Sequence, residues 1–184
     1  MSNIFETEAK IKQIIDELKA LSAQAGLANQ GEEERIITSV FLYKFLNDKF
    51  MYNLSKFAEE IGETIEEILK NENDELDAFY DTTSGDVAFG YEDTIQYLIN
   101  HVEQADFYKQ FDDALVRIAQ NTRNDIFAVE TAEGSHRPLF EPISTPVEPS
   151  NRNNFAKNIF GIIAQDKFDF SSAFAGSFVL PGDA

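Results

Sequence analysis

Residues 33–50 read EERIITSVFLYKFLNDKF, with apolar positions recurring at three- and four-residue steps. Ile36, Ile37, Val40, Phe41, Leu42, Phe45 and Leu46, joined by Tyr43 and Phe50, place apolar surface around most of a helix's girth. A helix covered by others on two or more sides carries such a pattern, so this stretch is the expected centre of an all-α helical bundle. Glu32, Glu33 and Glu34 stand at its start, where the helix dipole favours negative charge, and Lys49 lies towards its end.

Upstream, residues 6–24 predict an amphipathic helix with Ile11, Ile14, Ile15, Leu18 and Leu21 on one face, Thr7 as N-cap and Gly26 as its stop. Beyond Phe50 the apolar pattern continues through Met51, Leu54, Phe57 and Ile61 to Gly62, as one long helix or with a break near Asn53. Thr64 and Glu67 then have capping-box spacing, ahead of Ile65, Ile68 and Leu69. A turn-rich acidic stretch follows, with short helical or extended pieces at 76–80 and 87–89. Further helices are predicted over 93–102 and from Asp106, as cap, to Asn121 or Arg123.

Pro138, Pro142, Pro146 and Pro149 rule out a continuous helix and predict an extended, exposed arm. Phe155, Ile159, Phe160 and Ile163 face a last helix over 151–165. The expected organisation is a bundle over 1–130, a proline-rich arm over 131–150, a C-terminal helix over 151–165 and a Phe-rich tail over 166–184. A chain terminus ordinarily has nothing to bury residues such as Phe168, Phe170, Phe174 and Phe178 in.

Composition supports a core: 43% of the 184 residues are apolar and 17 are Phe. A formal net charge of -18 argues against a free-standing, non-specific binder of nucleic acid or anionic lipid. With no Cys there is no disulfide, thiolate metal site or Cys nucleophile. The N-terminus lacks a basic stretch followed by an apolar run, and no apolar run of about 18 residues occurs anywhere, so a cytoplasmic chain with no membrane partner is expected.

Candidate chemistry is sparse. His101 and His136 have no ligand or base at motif spacing, and His101 suits the end of a predicted helix. Zinc, phosphate-loop and nucleophile-elbow motifs are absent, and the acidic stretch 71–77 lacks the Gly and terminal Glu of a calcium loop. Asn53-Leu54-Ser55 matches a glycosylation sequon, but within a helical pattern. No catalytic, cofactor-binding or metal residue is assigned. Arg117, Arg123, Arg137, Arg152 and Lys157 gather along the C-terminal helices and the arm. The plainer reading is surface charges pairing with abundant acids; the functional reading makes Arg123, Arg137, Arg152 and Lys157 a partner- or DNA-facing edge.

IDELKALSAQAGLANQGEEERIITSVFLYKFLNDKF and the later EPISTPVEPSNRNNFAKNIFGIIAQDKFDF resemble the N-terminal helical domain of the modification subunit of type I restriction–modification systems. In that family a helix and a short connector lead to a helix of the type LLFLKYLSDKF, here VFLYKFLNDKF over 40–50, and the resemblance covers about 16–178. It implies a subunit of an adenine-N6 DNA methyltransferase that uses S-adenosylmethionine. Such subunits assemble with a specificity subunit, a second modification subunit and a restriction subunit. The family's catalysis belongs to a following Rossmann-like domain, with a glycine-rich loop and an Asn-Pro-Pro-Tyr or Asn-Pro-Pro-Phe element that holds a flipped adenine.

No Pro-Pro dipeptide and no alternating strand–helix pattern occur in this sequence. The resemblance therefore implies an assembly and DNA-clamping module, non-catalytic alone and touching DNA only within the complex. The sequence stops at VLPGDA, where the tail would lead towards an absent catalytic domain. The alternative is a free-standing interaction or inhibitory fragment that competes for the specificity subunit.

Overall fold

The computed structural model describes residues 2–27, 31–70, 74–83, 85–121, 123–124, 129–130, 136–171 and 174. Within them the apolar periodicities become α1 (Ser2–Gln24), α2 (Gly31–Ile61), α3 (Ile65–Lys70), α4 (Asp74–Thr82), α5 (Ile95–Leu98), α6 (Phe107–Gln120) and α7 (Arg152–Ile163). Strand pairing among the described residues is confined to a two-residue antiparallel bridge between β1 (Val129–Glu130) and β2 (His136–Arg137). The chain is an all-α helical bundle, and α2 is its axis. No described helix is long and apolar enough to cross a membrane.

Local sequence accounts for most element ends. α2 runs unbroken for 31 residues through Asn53, whose buried side chain donates to Asp86 Oδ2 at 3.1 Å. Gly62 stops it with a φ of 74°, a left-handed backbone that glycine adopts without a Cβ penalty. The capping box then forms in both directions. The Glu67 N–H donates to Thr64 Oγ1 at 3.1 Å, and the Thr64 N–H donates to Glu67 Oε2 at 3.1 Å.

Two helix boundaries and one cap differ from expectation. α1 begins at Ser2, so Thr7 lies inside the helix and not at its start. The stretch predicted as one helix over 93–102 is broken at Thr94, whose extended backbone and side chain cap the single turn of α5. A 3-10 turn, Ile99–His101, follows it. Asp106 stands at the N-cap of α6, its carbonyl accepting the Lys109 and Gln110 N–H groups at 2.9 and 3.1 Å, but its carboxylate takes the Gln110 side-chain amide at 2.8 Å rather than a helix N–H.

Tyr43 lies fully buried in the middle of α2, with ring centroids of Phe111 at 5.2 Å, Phe89 at 5.9 Å and Phe140 at 6.4 Å. The apolar cluster around it extends from Ile14 to Phe174, so the four segments marked out by sequence share one core.

Two expectations are overturned by that core. The described part of the proline-rich arm is not wholly exposed: Phe140, Ile143 and Val147 retain 2%, 0% and 1% of their accessible surface. Proline forbids a helix but not burial, provided the extended backbone finds partners. Asp112 on α6 supplies them, its Oδ1 accepting the N–H of Ile143 at 2.9 Å and of Ser144 at 3.3 Å. Nor are the described aromatics of the tail left uncovered: Phe168, Phe170 and Phe174 retain 0%, 1% and 6%. The Phe170 ring lies 6.0 Å from both Phe41 and Phe45, and Phe174 packs 5.0 Å from Phe45 and 6.4 Å from Tyr52. α2 had apolar surface left over for them, because its girth exceeds what α1 alone covers. Phe178 lies outside the described residues.

Candidate functional site

The central helix carries four polar side chains, Lys44, Asn47, Asp48 and Asn53, into the interior. Lys44 Nζ lies 2.9 Å from Asp48 Oδ2, and that oxygen also accepts the Phe170 N–H at 3.0 Å. Asn47 Oδ1 accepts the Ile95 N–H at 2.9 Å, while its amide donates to Gln96 Oε1 at 3.2 Å. These bonds seat the start of α5 and the tail on α2. Burial pushes the Asp48 carboxyl above its ordinary range, against the Lys44 charge and the hydrogen bonds it receives. Within the run KFLND, a Lys and an Asp four residues apart on an otherwise apolar helix are the one advance sign of this pair.

A second polar centre lies where α3, α4, a 3-10 turn at Tyr91–Asp93 and α6 enclose a cleft of about 890 Å³. Leu69, Leu76, Tyr80, Tyr91, Asp93 and Arg117 are among its walls. Asp93 accepts the Gly90 N–H at 3.2 Å and Arg117 Nε at 2.8 Å, and its main-chain oxygen receives the Tyr43 hydroxyl at 2.7 Å. Burial raises the Asp93 carboxyl, opposed by the adjacent guanidinium. Burial also holds the Tyr43 phenol well above 10.0, reinforced by the charges of Asp93 and Asp48. Asp93 falls within the stretch predicted as a helix over 93–102; Gly90 and Asp93 at capping spacing are the signal that marks its role.

The basic residues expected at one edge are each tied to a different neighbour. Arg123 follows α6, beside Asn124, which is pinned to both backbone groups of Ala88 at 2.8 and 2.9 Å. It bonds Asp81 at 3.1 Å and Asp77 at 3.6 Å on α4, with its guanidinium 5.0 Å from the Tyr80 ring centre. Arg152, opening α7, donates to the carbonyls of Val147 at 3.0 Å and Thr145 at 3.1 Å, bracing the end of the arm. Lys157 reaches Glu103 at 3.1 Å, and Arg117 is the partner of Asp93. Arg137 stands in β2, and its side chain lies outside the described residues.

His101 stacks on Tyr97 with centroids 4.2 Å apart, and its Nδ1 lies 2.9 Å from the Tyr97 carbonyl, which accepts its N–H. That is a satisfied structural histidine; the His136 side chain lies outside the described residues. Among the described residues no three His, Cys, Asp or Glu side chains converge as metal ligands. What the arrangement offers is recognition: a rigid helical face, exposed ion pairs and one cleft with an anchored arginine. Comparison with protein-family models, with curated proteins and with solved structures finds no match to this chain.

Proposed function

We propose that this chain is the helical assembly and DNA-clamping module of a type I restriction–modification modification subunit, non-catalytic by itself. What supports the reading is that the two stretches bearing the resemblance, 16–50 and 141–170, are far apart in sequence yet form one packed unit. α1 packs on both α2 and α7. Arg35 Nη1 donates to the Pro142 carbonyl at 3.3 Å, and Asp48 takes the Phe170 N–H. A unit knitted in this way presents a rigid face to a specificity subunit and a second modification subunit, with a restriction subunit joining the assembly.

DNA is met only inside that assembly, since the isolated chain at -18 repels a phosphate backbone. Lys157 and Arg123 are the DNA-facing residues best placed to exchange partners. Their acids, Glu103, Asp77 and Asp81, are exposed, and exposed pairs contribute only about 0–1 kcal/mol. Arg152 holds the arm instead, and Arg137 remains a candidate on its sequence position. S-adenosylmethionine belongs to the family's catalytic domain. None of the described glycines lies on a strand-to-helix turn of the kind that approaches such a cofactor.

The test is light scattering on the chain mixed with a type I specificity subunit and full-length modification subunit at micromolar concentration. A stable complex containing the chain is expected; separate elution of every component sinks the reading. In the full-length subunit, Arg123→Glu with Lys157→Glu should leave assembly intact and weaken DNA retention. Unchanged retention removes those two residues from the DNA edge.

A further inference from the structure

The Arg117 cleft has features that neither the packing of the bundle nor an assembly role requires. Asp93 holds Arg117 through Nε, and neither Nη group has a hydrogen-bond partner among the described residues. An arginine gripped from behind presents a flat two-pronged donor, which matches the spacing of carboxylate oxygens. The grip is itself fixed. Asp93 is buried, its carboxylate takes the Gly90 N–H, and its main-chain oxygen takes the Tyr43 hydroxyl. A Cβ at residue 90 would lie 2.9 Å from Asp93 Oδ2, so any larger residue there would have to displace that carboxylate.

The surroundings narrow the ligand. Tyr80 and Tyr91 give the cleft aromatic walls over Leu69 and Leu76, and the Tyr91 hydroxyl has no hydrogen-bond partner among the described residues. About 890 Å³ falls within the range of small-molecule pockets. Asp77 and Glu92 line it as well, so the positive field is weak, and the cost of desolvating a doubly charged head, which grows with the square of its charge, disfavours it relative to a singly charged one. The other nearby cations add little positive field. Lys70, 5.9 Å from the Tyr91 ring centre, is paired with Glu66, and Arg123 is paired with Asp77 and Asp81.

We propose that this cleft binds a flat aromatic compound bearing one carboxylate, with the carboxylate on the Arg117 Nη pair and the ring against Tyr91. The proposal is independent of the assembly role.

Three probes with one ring system and different heads test it: 2-naphthoate, 2-naphthyl phosphate and 2-naphthamide, each titrated into the ¹⁵N-labelled full chain. Saturable shifts at Gly90, Tyr91 and the Arg117 Nε–H are expected with naphthoate, with the amide at least about tenfold weaker and the phosphate weaker than the carboxylate. Arg117→Lys keeps the charge and removes the fork, and should weaken naphthoate at least about tenfold. Tyr91→Leu, which leaves the Asp93–Arg117 pair alone, should weaken all three probes. Lys109→Gln, on an exposed position of α6, should change nothing. No saturable binding, equal binding of naphthoate and the amide, tighter binding of the phosphate, or indifference to both cleft variants would overturn the proposal.

Discussion

The backbone N–H of Phe170 donates to Asp48 Oδ2 at 3.0 Å, joining positions 122 residues apart in the chain. One carboxylate in the central helix thereby neutralises Lys44 and gives the tail's backbone a buried partner. Without it, Lys44 would be a lone charge in the interior, and the turn entering Phe170 would lose its acceptor.

Asp48→Ala should therefore cost about 3–5 kcal/mol, the penalty for removing one partner of a buried pair. The double replacement Lys44→Met with Asp48→Leu should recover most of that loss, because it strands no charge. Urea unfolding of the three proteins decides the matter. A single replacement within about 1 kcal/mol of the parent would show that the pair does not hold the tail.

Phe170 reports whether the tail's aromatics belong to this bundle. Its ring packs against both Phe41 and Phe45 and is almost fully buried. Phe170→Ala should cost about 3–5 kcal/mol in the same assay. A loss below about 1 kcal/mol would mean that the tail contributes nothing to the core.

The arm depends on Asp112. Its carboxylate accepts two backbone N–H groups, from Ile143 and Ser144, in a part of the chain with no helical hydrogen bonds to fall back on. Asp112→Ala should cost about 2 kcal/mol and open residues 138–150 to limited proteolysis. If the cleavage pattern stays that of the parent, the prolines and the buried Phe140, Ile143 and Val147 suffice to keep the arm in place.

Stability should fall as pH rises from 3.8, the ordinary aspartate value, towards neutrality. Burial raises the folded-state carboxyls of Asp48, Asp93 and Asp112 above 3.8. A group so shifted holds its proton more tightly when folded. Its favourable contribution is complete below the unfolded value and is lost as pH climbs through the folded one. Asp169 acts oppositely: burial would raise it, but bonds from Ser171 and the charges of Lys44 and Lys10 outweigh that and lower it. Self-repulsion in a chain at -18 adds to the majority trend, and above 10.0 the buried Tyr43 phenol pulls the same way. The urea midpoint followed against pH checks this; a midpoint rising across the interval would contradict it.

Of the candidate site, only membership was legible beforehand. Arg117, Arg123, Arg152 and Lys157 are visible as basic residues in an acidic chain, but their partners lie on other elements, from Asp93 to the carbonyl of Val147. No spacing rule connects Arg117 to Asp93, because the contact exists only once α6 packs beside the Tyr91–Asp93 turn. The break at Thr94 was equally hidden. The apolar period continues through it, while Asn47 on α2 claims the Ile95 N–H and fixes the cap from outside.

What the sequence by itself determined is what neighbouring residues can enforce: the girth of α2, the stop at Gly62, the Thr64–Glu67 capping box and the ban on helix through the prolines. Each rests on backbone geometry or on bonds spanning three or four positions. Whether the arm and the tail are inside or outside was decided only by tertiary structure. A proline-rich strand and a row of phenylalanines have no preference of their own; they are buried because α6 offers the Asp112 carboxylate and α2 offers Asp48 beside uncovered Phe41 and Phe45.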